Sequence, residues 1–155
     1  MTIKEFMNAF ELKNEKTVLN WLEKDLIAGA YKDEETGEWN ISELARPPYT
    51  RARAKTADSI YVSIVDACNK RKSVCAKLYK ISEIEFEEYI SNLVAAKLIS
   101  IKEVNGIKYC FATPTSQSYL DDKNALKKFV KFALKTVIEA TVKTSIEATV
   151  TRLAA

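Results

Sequence analysis

Apolar residues recur at helical spacing twice near the start of the chain, and a short hairpin-like stretch follows. The first apolar set is Ile3, Phe6, Met7 and Phe10, and the second is Val18, Trp21, Leu22 and Leu26. Thr2 and Asn14 precede these sets and are suitable helix N-caps. Gly37 suits the turn of a hairpin that returns through residues 39–41. The pattern predicts helices over 3–10 and 15–25, the hairpin, and one helical turn from Ser42 that Pro47 and Pro48 stop.

The pattern of residues 58–121 predicts a second folded unit with three helices, a hairpin and a further helix. The helices are expected over 59–69, 73–79 and 82–97, and the strands over 101–104 and 107–112. Asn105-Gly106 strongly favours a two-residue hairpin turn. The third helix is expected to bury Phe86, Ile90, Leu93 and Val94. Three helices, a hairpin and a helix in this order indicate a winged helix.

Residues 122–155 contain no Gly or Pro and carry a long apolar stripe at helical spacing. The stripe includes Leu126, Phe129, Val130, Leu134, Val137, Ile138, Val142, Ile146, Val150 and Leu153. We expect self-association through this helix, because an exposed stripe of that length needs a partner. Docking back along the second unit is one alternative. Contact with a membrane surface is another, since Lys127, Lys128, Lys131 and Lys135 flank the stripe.

These elements predict a mainly α protein of α+β class, with tandem winged helix-turn-helix domains and a long C-terminal helix. The expected domains are 1–48 and 58–121, joined by a basic linker over 49–57 and followed by an oligomerisation helix over 122–155. The net charge of +3 is uneven, because residues 1–49 hold six Lys/Arg against ten Asp/Glu and residues 123–155 hold seven against two. Basic charge therefore lies in the linker and the tail.

The composition argues against enzymatic chemistry and against a bound cofactor or metal. Histidine is absent, and Cys68, Cys75 and Cys110 form no CxxC motif. We expect these thiols to be reduced and mostly buried in a cytoplasmic protein. No window of 18 uncharged apolar residues exists, so no membrane span is expected.

Four short strings in residues 1–48 carry a family resemblance. They are Thr2-Ile3-Lys4-Glu5-Phe6, Thr17-Val18-Leu19-Asn20-Trp21-Leu22, Asp25-Leu26-Ile27 and Trp39-Asn40-Ile41-Ser42. Together they resemble the excisionase/MerR-like helix-turn-helix superfamily. The resemblance implies DNA binding with the second helix in the major groove. Its groove-facing residues would be Lys16, Thr17, Asn20 and Lys24, with Lys13 in the preceding turn.

The expected wing departs from that family, because its tip is acidic rather than basic. Asp33, Glu34, Glu35 and Glu38 would be repelled by a DNA backbone. These carboxylates either form a solvated turn or contact a protein or mimic DNA.

The second unit resembles MarR-like regulator domains through the string from Leu93 to Ile99, the hairpin and Thr113-Pro114. This resemblance implies the fold more than a function. Four carboxylates on the third helix would repel phosphates, so we expect that helix to pack or to dimerise. They are Glu83, Glu85, Glu87 and Glu88.

Basic residues outside the helices are further candidates for DNA contact. Those in the linker are Arg46, Arg51, Arg53 and Lys55, and a second group is Lys70, Arg71 and Lys72. Either group also fits a solvated segment.

The sequence thus favours an oligomeric, sequence-specific binder of double-stranded DNA. It would be a transcription regulator or an accessory factor of a phage, plasmid or other mobile element. The tail would pair protomers so that two half-sites are read together. The rival interpretation is a protein-interaction scaffold that uses winged helices as packing modules and binds no DNA.

Overall fold

A computed structural model describes residues 1–50, 54–119 and 122–137. Within these ranges the chain is of mixed α and β structure, with seven helices and two antiparallel hairpins. The first part contains α1 (Ile3–Ala9), α2 (Glu15–Glu23), β1 (Ala30–Lys32) and β2 (Trp39–Ile41). The second contains α3 (Ala57–Asn69), α4 (Ala76–Tyr79), α5 (Glu83–Ala95), β3 (Ile99–Val104), β4 (Ile107–Ala112), α6 (Pro114–Gln117) and α7 (123–137). None of the described helices is both long enough and apolar enough to cross a membrane.

The N-terminal unit, residues 1–45, forms around its own small core. Thr2 and Glu5 make a capping box that begins α1, and the Asn14 side chain caps α2. The helical spacing then turns the apolar faces of both helices inward, and α1 packs against both α2 and β2. The buried side chains are Phe6, Val18, Leu22, Ile27, Ile41 and Ala45.

The C-terminal unit, from residue 54 onward, has a larger core built on α3. Thr56 and Ser59 form the capping box that begins α3. The β3–β4 hairpin closes in register, with Ile99 opposite Ala112 and Val104 opposite Ile107. The core comprises Ile60, Ile64, Val65, Cys68, Tyr79, Ile90, Leu93, Leu98, Ile99, Leu126, Val130 and Leu134.

Three residues of the expected oligomerisation stripe lie in that core. Leu126, Val130 and Leu134 are buried against the C-terminal unit of their own chain. As far as it is described, α7 therefore follows the alternative in which the helix docks back, and these three side chains are unavailable to a second copy. Burial of each removes apolar surface from water and stabilises the unit.

Two expectations about the helices of the C-terminal unit were wrong. The second helix begins at Ala76 rather than Ser73, because the Ser73 backbone is extended and pairs with Pro48 in residues 46–50, which we call the connector. Its N–H donates to Pro47 O and its carbonyl accepts from Tyr49 N, both at 2.8 Å. Val94 is 38% exposed rather than buried, so the inward face of α5 is narrower than the apolar pattern indicated.

The two units pack against each other across the connector. The Tyr109 hydroxyl lies over Gly29, so close that a Cβ on that glycine would be 2.2 Å from the oxygen. The Arg46 guanidinium lies 4.5 Å from the centre of the Phe111 ring. Ser73 Oγ also donates to Arg46 O at 3.0 Å. These contacts join the connector and the N-terminal unit to β4 and to the turn after α3.

Two thiols of the C-terminal unit, the buried Cys68 and the half-buried Cys110, should make the stability of this unit sensitive to alkaline pH. Burial raises the pKa of Cys68 from 9.0 to about 12, and burial raises that of Cys110 to about 11. Unfolded thiols ionise near pH 9, so above that pH the unfolded state binds fewer protons and is favoured. We expect the free energy of unfolding to fall as the pH rises from 9.0 toward about 12.

The variant Cys68→Val tests this expectation by removing one buried thiol at similar volume. Its unfolding free energy, measured with urea across the same pH range, should fall less steeply than that of the wild type. Part of the slope should remain, because Cys110 is still present and burial also raises the pKa of Tyr79. An identical slope in the variant would contradict the assignment to Cys68.

Candidate nucleic-acid interface

One face of α2 is polar and open to solvent along its whole length. Lys16, Thr17, Asn20 and Lys24 fall on one side of the helix by their spacing, and all four are exposed. The opposite side holds Val18 and Leu22, which are buried in the N-terminal unit. The sequence therefore fixes which face remains outside, because the apolar stripe must turn inward. Neither unit of the described chain covers the polar face.

The start of α2 carries a side-chain cap and two exposed lysines. Asn14 Oδ1 accepts a hydrogen bond from Lys16 N at 3.0 Å and fixes the first turn. The helix dipole places partial positive charge at this end, beside the exposed ammonium groups of Lys13 and Lys16. Glu15 and Glu23 are also exposed on this helix and reduce its net charge. The surface can thus attract phosphate at its N-terminal end and offer amide and hydroxyl groups along its length.

Two cations of the C-terminal unit contact residues that flank α2 in the sequence. The Arg71 guanidinium lies 5.4 Å from the centre of the Phe10 ring, in the turn that precedes α2. Lys77 Nζ lies 3.6 Å from a carboxylate oxygen of Asp25, just after α2. We use the name α2 surface for residues on or next to α2 together with Arg71 and Lys77; the first group comprises Lys13, Lys16, Thr17, Asn20 and Lys24.

Lys77 was missed by sequence reasoning. It lies on a short helix of the other unit, and only the packing of the two units brings it beside α2. No local signal in the sequence indicated this neighbour.

The other predicted basic residues are dispersed. Lys70 Nζ is 2.9 Å from Asp66 Oδ2, and Lys72 is half-buried. Lys55 is exposed at the start of the C-terminal unit. Arg51 and Arg53 lie outside the described residues.

Arg46 lies between the two units rather than on an open surface. Its ring contact with Phe111 leaves the Nη1 atom buried, without a hydrogen-bond partner in the described part of the chain. Burial, with a smaller contribution from Arg71, lowers the pKa of the Arg46 guanidinium. The side chain therefore serves the packing of the units, and we leave it out of the α2 surface.

Two acidic surfaces lie elsewhere. In the β1–β2 turn, Asp33 Oδ1 accepts from Glu35 N at 2.9 Å, and Glu34, Glu35 and Glu38 are exposed. On α5, all four predicted glutamates are exposed, and Glu87 Oε2 is 3.7 Å from Lys108 Nζ. Both surfaces would repel a DNA backbone.

The rest of the expected oligomerisation stripe is only partly described. Phe129 is half-buried and stacks on Tyr119 with ring centres 4.8 Å apart, and Val137 is half-buried. Ile138, Val142, Ile146, Val150 and Leu153 lie outside the described residues. The large apolar side chain that α7 does expose is Phe132, at 71%.

Comparison with protein-family models and with curated proteins finds no match for this chain. Among the described residues, no group of three potential ligands is placed to hold a metal ion.

Proposed function

We propose that the chain is a sequence-specific binder of double-stranded DNA that inserts α2 into the major groove. In this proposal α1 and α2 form a helix-turn-helix of the MerR/excisionase type. Residues 58–121 form a MarR-like winged helix. The observation that supports it is the open polar face of α2, with Arg71 and Lys77 of the other unit beside the residues that flank this helix. A helix of this width fits the major groove of B-form DNA.

The residues of the α2 surface divide in this proposal into base contacts, which include Thr17, and phosphate contacts. Asn20 would bond an adenine edge through its amide, and Lys16 would reach guanine or a phosphate. Lys13, Lys24, Arg71 and Lys77 would contact phosphates and fix the orientation of the helix. The acidic wing and the acidic face of α5 would point away from the duplex.

The biological role that follows is a transcription regulator or an accessory factor of a phage or other mobile element. Pairing of protomers through the end of the C-terminal helix would let two half-sites be read together. That pairing would have to use residues 138–155 or the exposed face of α7, because the inner face of α7 is occupied by its own chain.

Salt-dependent binding to duplex DNA tests the proposal. Five cations on the α2 surface, each neutralising one phosphate, give an expected slope of log affinity against log salt of about −4.5. The measurement is fluorescence anisotropy of a labelled random-sequence duplex, titrated at salt concentrations from about 50 to about 200 mM. An absence of binding at the lowest salt would contradict DNA binding.

A protein-interaction scaffold is the second candidate, and α5 favours it. Ile84 is 77% exposed between Glu83 and Glu87, on a helix that would meet the groove in a DNA-binding winged helix. An exposed isoleucine ringed by carboxylates suits a basic protein partner better than a phosphate backbone. The same titration separates the two candidates, because the scaffold needs no duplex.

A further inference from the structure

We propose that a groove between the connector, α3 and α7 binds a small organic anion with an apolar body. The groove has a volume of about 500 Å³. That volume falls within the range of small-molecule sites, which is about 300–1,000 Å³. The inference is independent of DNA binding, because none of the residues that line the groove belongs to the α2 surface.

Three lysines form one wall of the groove. Lys123, Lys127 and Lys131 are spaced four residues apart, so they repeat along one face of α7. Each step advances the helix by about 6 Å, so the three ammonium groups can follow a ligand about 12 Å long. No carboxylate of the described residues lies within 4.0 Å of these groups.

The floor and the opposite wall determine the kind of anion. Ala54, Val62 and Leu126 supply apolar surface. Two carboxylates also line the groove, Asp58 and Asp66. The Asp66 charge is compensated, because its Oδ2 accepts from Tyr49 Oη at 2.6 Å and from Lys70 Nζ at 2.9 Å.

Among the described residues that line the groove, three lysines thus face one carboxylate without a cationic partner, that of Asp58, and this excess of positive charge favours an anion. The apolar floor favours an aromatic or aliphatic body over inorganic phosphate alone. A duplex is a poorer occupant, since its backbone is charged along its length and would leave the concave apolar floor unfilled. The chemical class is therefore an amphipathic carboxylate, sulfonate or phosphate ester of small-molecule size.

The probe for this site is the arylsulfonate 8-anilinonaphthalene-1-sulfonate, whose fluorescence rises in an apolar environment. We expect saturable binding to the full chain, with displacement by benzoate and none by benzyl alcohol. The double variant Lys127→Glu with Lys131→Glu should bind the probe at least about 10-fold more weakly, because two attractive charges become repulsive. Lys97→Glu is the control, since it makes the same type of change at an exposed lysine outside the groove.

A second variant keeps the test decisive if the charge reversals disturb folding. Val62→Trp fills the groove without altering its charge and should also abolish probe binding, with the thermal transition checked for both variants. Equal probe affinity in wild type, groove variants and Lys97→Glu would overturn the proposal. So would unchanged probe binding together with weaker duplex binding in the double variant, which would assign the groove to nucleic acid.

Discussion

Replacing Leu126 with alanine should lower the free energy of unfolding by about 2–5 kcal/mol, the usual cost of truncating a fully buried leucine. Leu126 is 1% exposed and belongs to the core of the C-terminal unit. Phe132→Ala on the same helix is the matched control, because Phe132 is 71% exposed. The control should change the unfolding free energy by no more than about 0.5 kcal/mol. Urea denaturation at several protein concentrations measures both values.

This comparison separates the two roles considered for the C-terminal helix. If α7 docks on its own chain, the effect of Leu126→Ala does not depend on protein concentration. If the helix instead pairs with a second copy, the loss of unfolding free energy in Leu126→Ala grows on dilution, and the molar mass of this variant in solution falls. A large loss in Phe132→Ala together with little change in Leu126→Ala would contradict the packing of α7 described above.

Gly29→Ala should also be severe and should lower the free energy of unfolding by about 2–5 kcal/mol. Gly29 has a φ of +84°, which strains any residue with a Cβ. The added Cβ would also lie 2.2 Å from the Tyr109 hydroxyl oxygen and 2.8 Å from Ser42 Cβ. Strain and collision therefore act together at the contact between the two units.

Gly37→Ala separates these two causes. Gly37 has a φ of +71°, but nothing lies within 4 Å of the position its Cβ would take. Gly37→Ala should lower the free energy of unfolding by about 1–2 kcal/mol, from backbone strain alone. Adding Tyr109→Phe to Gly29→Ala should restore part of the loss by removing the hydroxyl. Equal unfolding free energies for the two alanine variants would show that the units do not meet at Gly29.

Local signals in the sequence located most of the elements. Thr2 with Glu5 and the Asn14 side chain begin α1 and α2 where the capping patterns placed them. Asn105-Gly106 closes the β3–β4 hairpin as expected. These signals succeed because each is an interaction among residues a few positions apart.

Contacts between distant segments were not predictable in the same way. Ser73 was expected to begin a helix, but the connector residues Pro47 and Tyr49 take its backbone hydrogen bonds. Arg46 was predicted to contact DNA from the linker, but its guanidinium packs on the Phe111 ring of β4. Helical periodicity identified the apolar face of α7 but could not say whether that face meets its own chain or a second one. The residues that α2 contributes to the α2 surface were predicted from the sequence. Lys77 was not predicted, because it lies beside α2 only when the two units pack together.

If α2 enters the major groove, a charge reversal within the α2 surface should weaken duplex binding more than the same change elsewhere on the chain. Duplex affinity is measured across the salt range for the wild type, for Lys16→Glu and for the control Lys97→Glu. We expect Lys16→Glu to weaken binding by at least about 10-fold and to reduce the magnitude of the salt slope by about 1, while Lys97→Glu stays close to the wild type. Equal affinities and slopes for the two variants would contradict the claim, because binding would then respond to overall charge and not to α2.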